Sequence, residues 1–340
     1  MVGTRTEERL LLEIAHLYYE QNLTQNEIAG RLGLSRPKVS RLLKEAREQG
    51  LVKVLILDPH ADLAKLENEL AARFRLRAVR VAPAPAPDDM LIKQAVAQEA
   101  AAFVPRFLTP GDTIGVSWGT SLYELVRVFP ALSLPGSTVV QLNGGVDDAN
   151  TRNHAADIVQ GLARRLQAEA YTLPCPDIVG SPEIRAAFMR DERLARVLEL
   201  GRRATKALVS VGVPGPESVL VQAGYFSAAD IAALKAKGAV GDICSRYFDI
   251  NGRVCDPDLD ARTIGLSLQE LRRIPCVIAL AAGLGKGQSL LGALRGGYID
   301  VLITDAATAT AALAAPRGQV STSQSYSQTC NKRLFPIEKL

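Results

Sequence analysis

Residues 24–49 read TQNEIAGRLGLSRPKVSRLLKEAREQ, and this stretch decides how the first part of the chain folds. Thr24 and Glu27 have the Thr-x-x-Glu spacing of a capping box, and Leu23 with Ile28 matches the hydrophobic staple that accompanies it. Gly33 interrupts this first helix. Ser35 is placed to cap a second one, with Leu34 and Val39 as its staple. In the second helix Val39, Leu42, Leu43 and Ala46 follow the i, i+3, i+4, i+7 spacing of a buried stripe, which turns Arg36, Ser40, Arg41, Lys44 and Arg47 to the opposite face. From Arg31 to Lys53 seven Lys/Arg stand against two Glu, a local excess of five. This is the build of a helix-turn-helix, in which the second helix lies in the major groove with its N-terminal side chains at base edges. A basic helix in an ordinary helical hairpin would share the charge, but not the caps, staples and glycine turn in one place. The candidate DNA contacts are Thr24, Gln25, Ser35, Arg36, Lys38, Ser40, Arg41, Lys44 and Lys53, and the partner they imply is double-stranded operator DNA.

On either side of this stretch the sequence completes a small module over residues 1–57. The N-terminal MVGTRTEERLLLEIAHLYYEQ reads as an amphipathic helix feeding the helix-turn-helix, without the pattern of a secretory signal. LVKVLIL, residues 51–57, reads as a strand that would make the module winged, with Lys53 within reach of phosphate. One recognition helix reads only a few base pairs, so a homo-oligomer, a dimer or tetramer, is expected. The Tyr18–Glu20 segment and a helix over residues 61–74 are candidate protomer contacts.

The 340 residues leave room for a large second unit. A net charge of +4 is too small for wholesale nucleic-acid coating, so the basic character that matters is local. Apolar runs are short and interrupted, so no membrane span is expected. The five cysteines, at 175, 244, 255, 276 and 330, form no CxxC pair and have no clustered histidines beside them. That argues against a zinc site or a disulfide framework and for a cytoplasmic protein with reduced thiols. No cofactor or metal is expected.

From about residue 78 to 315 short β-rich runs alternate with helical ones. AVRV, DTIGVS, STVVQLN, ALVSVG, AVGDICSRYFD, CVIALAAG and YIDVLITD read as strands. LIKQAVAQEAAAFVPRF, SLYELVRVF, AADIVQGLARRLQAE, SAADIAALKAKG, QSLLGALRGG and ATATAALAA read as helices. Such alternation predicts an α/β fold, a doubly wound parallel sheet with helices on both faces. VAPAPAPDD reads as a stiff surface loop, and residues 316–340, polar and without period, as a disordered tail.

In a sheet of this kind ligands bind beyond the carboxyl ends of the strands. IGVSWGTSLYEL places Gly115, Ser117, Gly119, Thr120 and Ser121 between a strand and a helix, where glycines, hydroxyls and a helix N-terminus suit a phosphate; a merely tight turn is the alternative. QLNGG puts Gln141, Asn143 and Gly144 in a loop suited to hydroxyl-rich ligands, or to turn chemistry alone. AAGLGKGQSLLGALRGG brings Lys286 to a helix start, where an anion would offset its unfavourable place against the dipole. It lacks the Walker A spacing, since Leu280 and Gly287 stand at its defining positions.

The ordered series of a helix-turn-helix, GVSWGTSL, QLNGG, GDICSRYFDINGR and GLGKGQSLLGALRGGYIDVLITD resembles the SorC family of bacterial sugar-responsive transcriptional regulators, also called the deoxyribonucleoside-regulator type. The resemblance runs to about Ala315. It implies an effector and oligomerisation domain over residues 58–315, related in fold to sugar-phosphate isomerases of the glucosamine-phosphate deaminase and ribose-phosphate isomerase type. It further implies a phosphorylated sugar effector and a usually tetrameric assembly. Carried over, the phosphate loop falls on Ser117, Gly119, Thr120 and Ser121, the strand-end amide on Gln141, the acidic residue on Asp242 and the basic loop on Lys286. The tail departs from the family, whose members generally stop after the helix following LITD. The isomerase likeness leaves an alternative, a sugar-phosphate isomerase/deaminase-like enzyme fused to a DNA-binding module. Such an enzyme needs an acid or base in its pocket. Of the three histidines, His16 falls in the DNA module, His60 in the linker, and His154 reads as a capping or ligand contact. Asp242 and Asp305 remain possible acids.

Overall fold

The computed structural model describes residues 3–52, 61–83, 87–145 and 155–315. Contacts divide the chain into two units, residues 1–59 and 60–340.

The first unit is three helices, α1 (Gly3–Tyr19), α2 (Gln25–Leu32) and α3 (Arg36–Glu48). The capping box forms at the start of α2: the Glu27 N–H donates to Thr24 Oγ1 at 3.3 Å, and the Thr24 N–H donates to Glu27 Oε2 at 2.8 Å. Gly33 ends α2 in the left-handed region at φ 63°. Ser35 takes the N-cap position of α3, as its place in the sequence predicts, but its side chain makes no capping bond there. Pro37 removes one donor of the first turn, and backbone carbonyl of Ser35 accepts from Lys38 and Val39, so the hydroxyl has less to satisfy and stays exposed. Ile14 and Leu17 of α1, Ile28 and Ala29 of α2, and Val39 and Leu43 of α3 close a small core. The expected wing strand and Lys53, nearly all of residues 51–57, lie outside the described residues, as do His60, His154 and the tail.

The second unit is built on a seven-stranded sheet of β1 (Ala78–Ala82), β2 (Thr113–Val116), β3 (Thr138–Gln141), β4 (Glu169–Tyr171), β5 (Lys206–Ser210), β8 (Val277–Ala281) and β9 (Val301–Asp305). The strand order is β1-β9-β8-β5-β2-β3-β4, and each pairing is parallel. A separate antiparallel pair, β6 (Gly241–Ile243) and β7 (Arg246–Phe248), stands outside it. The helices are α4 (Ala61–Phe74), α5 (Asp89–Phe103), α6 (Thr120–Val128), α7 (Ala155–Leu166), α8 (Pro182–Arg190), α9 (Glu192–Arg202), α10 (Val219–Gln222), α11 (Ala228–Ala236), α12 (Pro257–Arg262), α13 (Leu268–Leu271), α14 (Gly287–Arg295) and α15 (Ala306–Ala314).

Alternate residues of one strand serve opposite faces, as the pleat requires. Leu208, Ile278 and Leu280 join a core with Val96 and Ala100 of α5, Leu122 and Leu125 of α6, and Ile158 and Leu162 of α7. Ala207, Val209, Val277 and Ala279 join the other, with Leu70 of α4, Leu198 of α9, Leu290 and Leu294 of α14, and Ala309 of α15. Helices thus cover both faces, and central strands are apolar on both sides, the pattern of a doubly wound parallel sheet.

Two stretches differ from expectation. AVGDICSRYFD is not one strand but a tight hairpin, turned at Cys244 and Ser245 with φ 51° and 59°. Two consecutive positive φ values are the signature of the turn that matches strand twist, and neither residue is the glycine or asparagine that usually announces it. Residues 182–202 carry α8 and α9, which the helical runs read from the sequence left out; α8 buries none of its residues, whereas α9 buries Leu194, Leu198 and Gly201 at helical spacing. Both start at side-chain caps. The Ser181 hydroxyl accepts from the Ile184 N–H, and the Asp191 carboxylate accepts from the N–H groups of Arg193 and Leu194.

Candidate effector site and DNA-recognition helix

The chain leaves β2 toward β3 and β4 on one side and returns to β5 on the other, so strand order reverses between β2 and β5. At such a point two loops diverge and leave a crevice beyond the carboxyl ends. The loop after β2 carries Ser117 and Gly119. Its backbone follows β5, since the Ser117 N–H donates to the Leu208 carbonyl at 3.0 Å, and the Ser210 N–H donates to Ser117 Oγ at 3.2 Å. Gly115, in β2, has no room for a side chain, because a Cβ would stand 2.4 Å from the Leu142 side chain, so its role is packing. Helix α6 opens at Thr120 behind Gly119 with no side-chain cap, which leaves its first-turn N–H groups without helical partners. Ser121, in that turn, is wholly buried, and its hydroxyl has no hydrogen-bond partner.

The next strand toward the other edge, β8, delivers Lys286. Its ammonium turns inward and donates to the carbonyl of Val211, the residue just after β5. Burial, with Lys93 nearby, pushes it down to about 8, against the opposing pull of Asp242, Asp89 and Asp305. Asp242 lies on β6, whose backbone accepts from the Gly212 N–H at 2.9 Å. The approach is so close that a Cβ on Gly212 would stand 2.0 Å from Asp242 Oδ1. Burial pushes Asp242 up to about 6, with Lys286 holding it back. The segment Ser210–Gly212 therefore lies between the Ser117–Thr120 loop on one side and Lys286 and Asp242 on the other, and brings together three motifs spread over about 170 residues of sequence.

The QLNGG loop behaves differently. Gln141 is buried, and its amide is committed to backbone at both ends: Nε2 donates to the Asn143 carbonyl at 2.7 Å, and Oε1 accepts from the Leu173 N–H at 3.0 Å. Gln141 thus braces the loop instead of offering its amide to the crevice. Asn143 is also buried and donates through Nδ2 to Asp177 Oδ1 at 2.9 Å. The carbonyl of Gly144 accepts from Trp118 Nε1 at 2.7 Å.

Two participants carried no signal that sequence reasoning used. Asp177, in LPCPDIVG, is fully buried, and burial pushes it up to about 7 against the pull of Ser245, Asn143 and Arg246. A lone acid in an apolar, proline-bracketed run was the available clue. Arg246 is 2% exposed and donates to the carbonyls of Leu266, Asp260, Thr263 and Gly265 and to the Asp260 carboxylate. It pins the β6–β7 hairpin to residues 260–266 and so fixes Asp242 in place.

In the first unit Ser35, Arg36, Lys38, Ser40, Arg41 and Lys44 are all exposed on α3. Among the described residues Arg36, Lys38 and Arg41 make no ion pair, while Lys44 meets Glu48 at 3.6 Å in an exposed pair of little energetic weight. Thr24 is exposed but spends its hydroxyl on the capping box, and Gln25 is partly exposed at the start of α2. Among the described residues no acidic, histidine or cysteine cluster could hold a metal ion, and no helix is long and apolar enough to cross a membrane.

Residues 58–314 match the sugar-binding domain family, and residues 8–66 match a Crp-like helix-turn-helix domain. The chain is 37% identical to the deoxyribonucleoside regulator of Bacillus subtilis over 307 residues, 90% of this chain and 98% of that protein. It is 35% identical to the sorbitol operon regulator of Klebsiella pneumoniae over 306 residues, 88% of this chain and 96% of that protein. The crystal structure of that full-length Klebsiella regulator superposes with a TM-score of 0.69 at 34% identity, over 91% of this chain and 99% of that one. These relatives are named as regulators, and nothing in them supports the enzyme alternative.

Proposed function

The chain belongs to the SorC family of sugar-responsive transcriptional regulators, and we propose that a phosphorylated sugar seated beyond β2, β5 and β8 sets its affinity for operator DNA. The observation that carries the phosphate assignment is the uncapped first turn of α6, with the unpartnered Ser121 hydroxyl in it, across Ser210–Gly212 from the Lys286 ammonium. Helix N–H groups, hydroxyls and a cation are the donors a phosphate dianion needs. Thr120 and Ser117 complete the cradle, and Asp242 holds a sugar hydroxyl beside Lys286. Relatives named for deoxyribonucleoside, sorbitol and erythritol regulation favour a polyhydroxylated ligand.

On DNA, Arg36 and Lys38 at the start of α3 meet base edges or adjacent phosphates, and Arg41 and Lys44 hold phosphate, with Ser35, Ser40, Thr24 and Gln25 as polar contacts. One short helix reads too few base pairs for useful specificity, so the working form is a homo-oligomer on repeated half-sites, in the cytoplasm. The ligand shifts operator affinity only as far as it binds the DNA-competent and incompetent arrangements unequally.

The test is calorimetry of the full chain against pentose and hexose phosphates and their unphosphorylated parents, with operator binding followed in parallel. Phosphorylated compounds should bind and their parents should not. Lys286→Ala and Thr120→Val should lose the effector response while operator binding stays near normal, since both lie in the second unit. Equal affinity for a sugar and its phosphate would overturn the phosphate assignment.

A further inference from the structure

Lys286 comes from a loop that has little of its own to hold it. Between β8 and α14 the chain runs Ala282-Gly283-Leu284-Gly285-Lys286, with Gly283 at φ 119° and Gly285 at φ 73°. Both glycines take backbone angles that other residues avoid, at the cost of a freer chain before folding. Leu284 between them is 55% exposed, so burial of its side chain does not fix the loop. The far end is fixed by packing. The Ser289 hydroxyl donates to the Lys286 carbonyl at 3.0 Å, and a Cβ on Gly287 would stand 2.5 Å from that of Ala311. The middle depends on carboxylates from other elements.

The shorter of these bonds comes from Asp89, in the first turn of α5 and 195 residues earlier in the chain than Leu284. Its Oδ1 accepts from the Leu284 N–H at 2.9 Å, and its Oδ2 meets Lys93 Nζ, one turn further along α5, at 2.5 Å. The fit is close, since a Cβ on Gly283 would stand 2.4 Å from Asp89 Oδ1 and 3.3 Å from Lys93 Cε. The Gly283 N–H reaches Asp305 Oδ2 at the longer distance of 3.3 Å, and Asp305 also accepts from the Thr308 N–H and hydroxyl. Although burial works against it, Lys93, the Leu284 N–H and Lys286 together hold the Asp89 carboxyl below the ordinary carboxylate range. One oxygen of Asp89 thus serves the loop, and the other meets a lysine that orients the carboxylate and offsets its charge.

Resting on the phosphosugar reading, we propose that Asp89 is a positioning residue of the effector site: through Leu284 it holds the glycine loop in the form that turns Lys286 inward, with Lys93 as its counter-ion. A loop already in its binding form need not be ordered when the ligand arrives, which leaves more of the contact energy as affinity. A charge acting on the ligand only at a distance would have the opposite sign, because a carboxylate near an anion site repels the anion. Substitution separates the two roles.

The test is calorimetry on the full chain with inorganic phosphate and a panel of pentose and hexose phosphates, for wild type, Asp89→Ala and Asp89→Asn. Asp89→Asn keeps an oxygen for the Leu284 N–H and removes the charge, whereas Asp89→Ala removes both. Asp89→Ala should bind the tightest member of the panel about 3- to 10-fold more weakly than wild type, the size of one lost hydrogen bond. Asp89→Asn should bind it as tightly as wild type or more so. Thermal unfolding recorded in parallel should stay near wild type in both, because the bond lies at an exposed loop. A lower melting temperature with wild-type affinity in Asp89→Ala would mean that the contact serves stability alone, and would overturn the inference. So would tighter binding by Asp89→Ala, the mark of charge alone, or an Asp89→Asn variant as weak as Asp89→Ala. In each of those cases wild type still binds phosphosugar, so only this inference falls. Binding of no phosphosugar by wild type would overturn the phosphosugar reading and this inference with it.

Discussion

Trp118 and Gly144 are joined by one hydrogen bond, from the indole Nε1 to the glycine carbonyl at 2.7 Å, and that bond ties the loop after β2 to the loop after β3. Neither loop is regular structure, so each depends on such contacts for its shape. Gly144 is held from its other side as well, since a Cβ there would stand 2.3 Å from the Pro176 carbonyl and 2.5 Å from Asp177 Cα. The β3 loop is thus clamped between the tryptophan of the β2 loop and the segment carrying Asp177.

Trp118→Phe tests this clamp. Phenylalanine keeps an aromatic body beside the core it packs on but leaves the buried Gly144 carbonyl without its donor, at a cost of roughly 1–3 kcal/mol. Thermal unfolding should fall by a few degrees, about 2–4 °C per kcal/mol for a unit of this size. Phosphosugar affinity should fall as well, while operator affinity without effector stays unchanged. Wild-type effector affinity by calorimetry would show that the two loops hold their shape independently.

Gly212→Ala tests the other wall. The new Cβ would meet Asp242 Oδ1 at 2.0 Å, a distance no real contact reaches, and Asp242 sits on a hairpin pinned by Arg246. Either the Asp242 carboxylate must swing out of its present place or the Ser210–Gly212 segment must give way, and overpacking of this kind typically costs about 1–3 kcal/mol. Urea denaturation should show that loss, and effector response should weaken with it because Asp242 leaves Lys286. A variant as stable as wild type would mean that this approach is looser than the geometry implies.

Much of this was legible in the sequence, and for physical reasons. Thr24, Glu27 and Gly33 act through contacts three to five residues away, so their spacing alone announced α2 and its turn. The parallel sheet announced itself through runs such as VIALA and VLITD, apolar on both faces because both faces are covered. The carboxyl-end loops then followed from fold logic. The roles of Gln141, Asp177 and Arg246 did not, because each depends on partners 14 to 34 residues away whose approach only the fold creates. A glutamine at a strand end looks alike whether it faces a ligand or braces Leu173. The Cys244–Ser245 turn hid for a different reason: its residues lack the usual preference for positive φ, and tertiary packing imposes it.

Asp177, Asp242 and Lys286 should leave a mark on the pH dependence of stability. Burial pushes Asp177 up to about 7 and Asp242 up to about 6, against an unfolded value of about 4. Between those limits the folded protein binds more protons than the unfolded one, so their contribution is full below about pH 4 and is lost as pH rises to 6–7. Lys286, pushed down to about 8, works the other way: its penalty is fully present below 8 and is relieved as pH rises toward the ordinary lysine value. Comparing wild type with Asp177→Asn isolates one group. Urea denaturation at pH 5, 6, 7 and 8 should move the stability gap in the variant's favour with rising pH, by at most about 1.4 kcal/mol per unit, and level off above about 7. A gap independent of pH would mean that Asp177 keeps an ordinary acidity in the folded protein.

The exposed face of α3 makes the last prediction. Arg36 opens the helix at the position that reaches base edges in a groove-docked helix-turn-helix, and it makes no ion pair among the described residues, so its guanidinium is available to DNA. A bidentate contact to guanine discriminates against a wrong base by about 1–3 kcal/mol, whereas a phosphate contact weakens binding alike on every sequence. Arg36→Ala should therefore lower operator affinity by that amount and lower affinity for random duplex far less. Arg41→Ala should reduce both equally and make the dependence of affinity on salt shallower by about one in slope, since one fewer counterion is released. Buried Val39, facing the other way into Ile14 and Ile28, should affect DNA binding only through folding. Fluorescence anisotropy across a salt series reads all three. An equal loss on operator and random DNA for Arg36→Ala would demote it to a phosphate contact, and wild-type affinity that stays flat between low and physiological salt would remove α3 from the groove altogether.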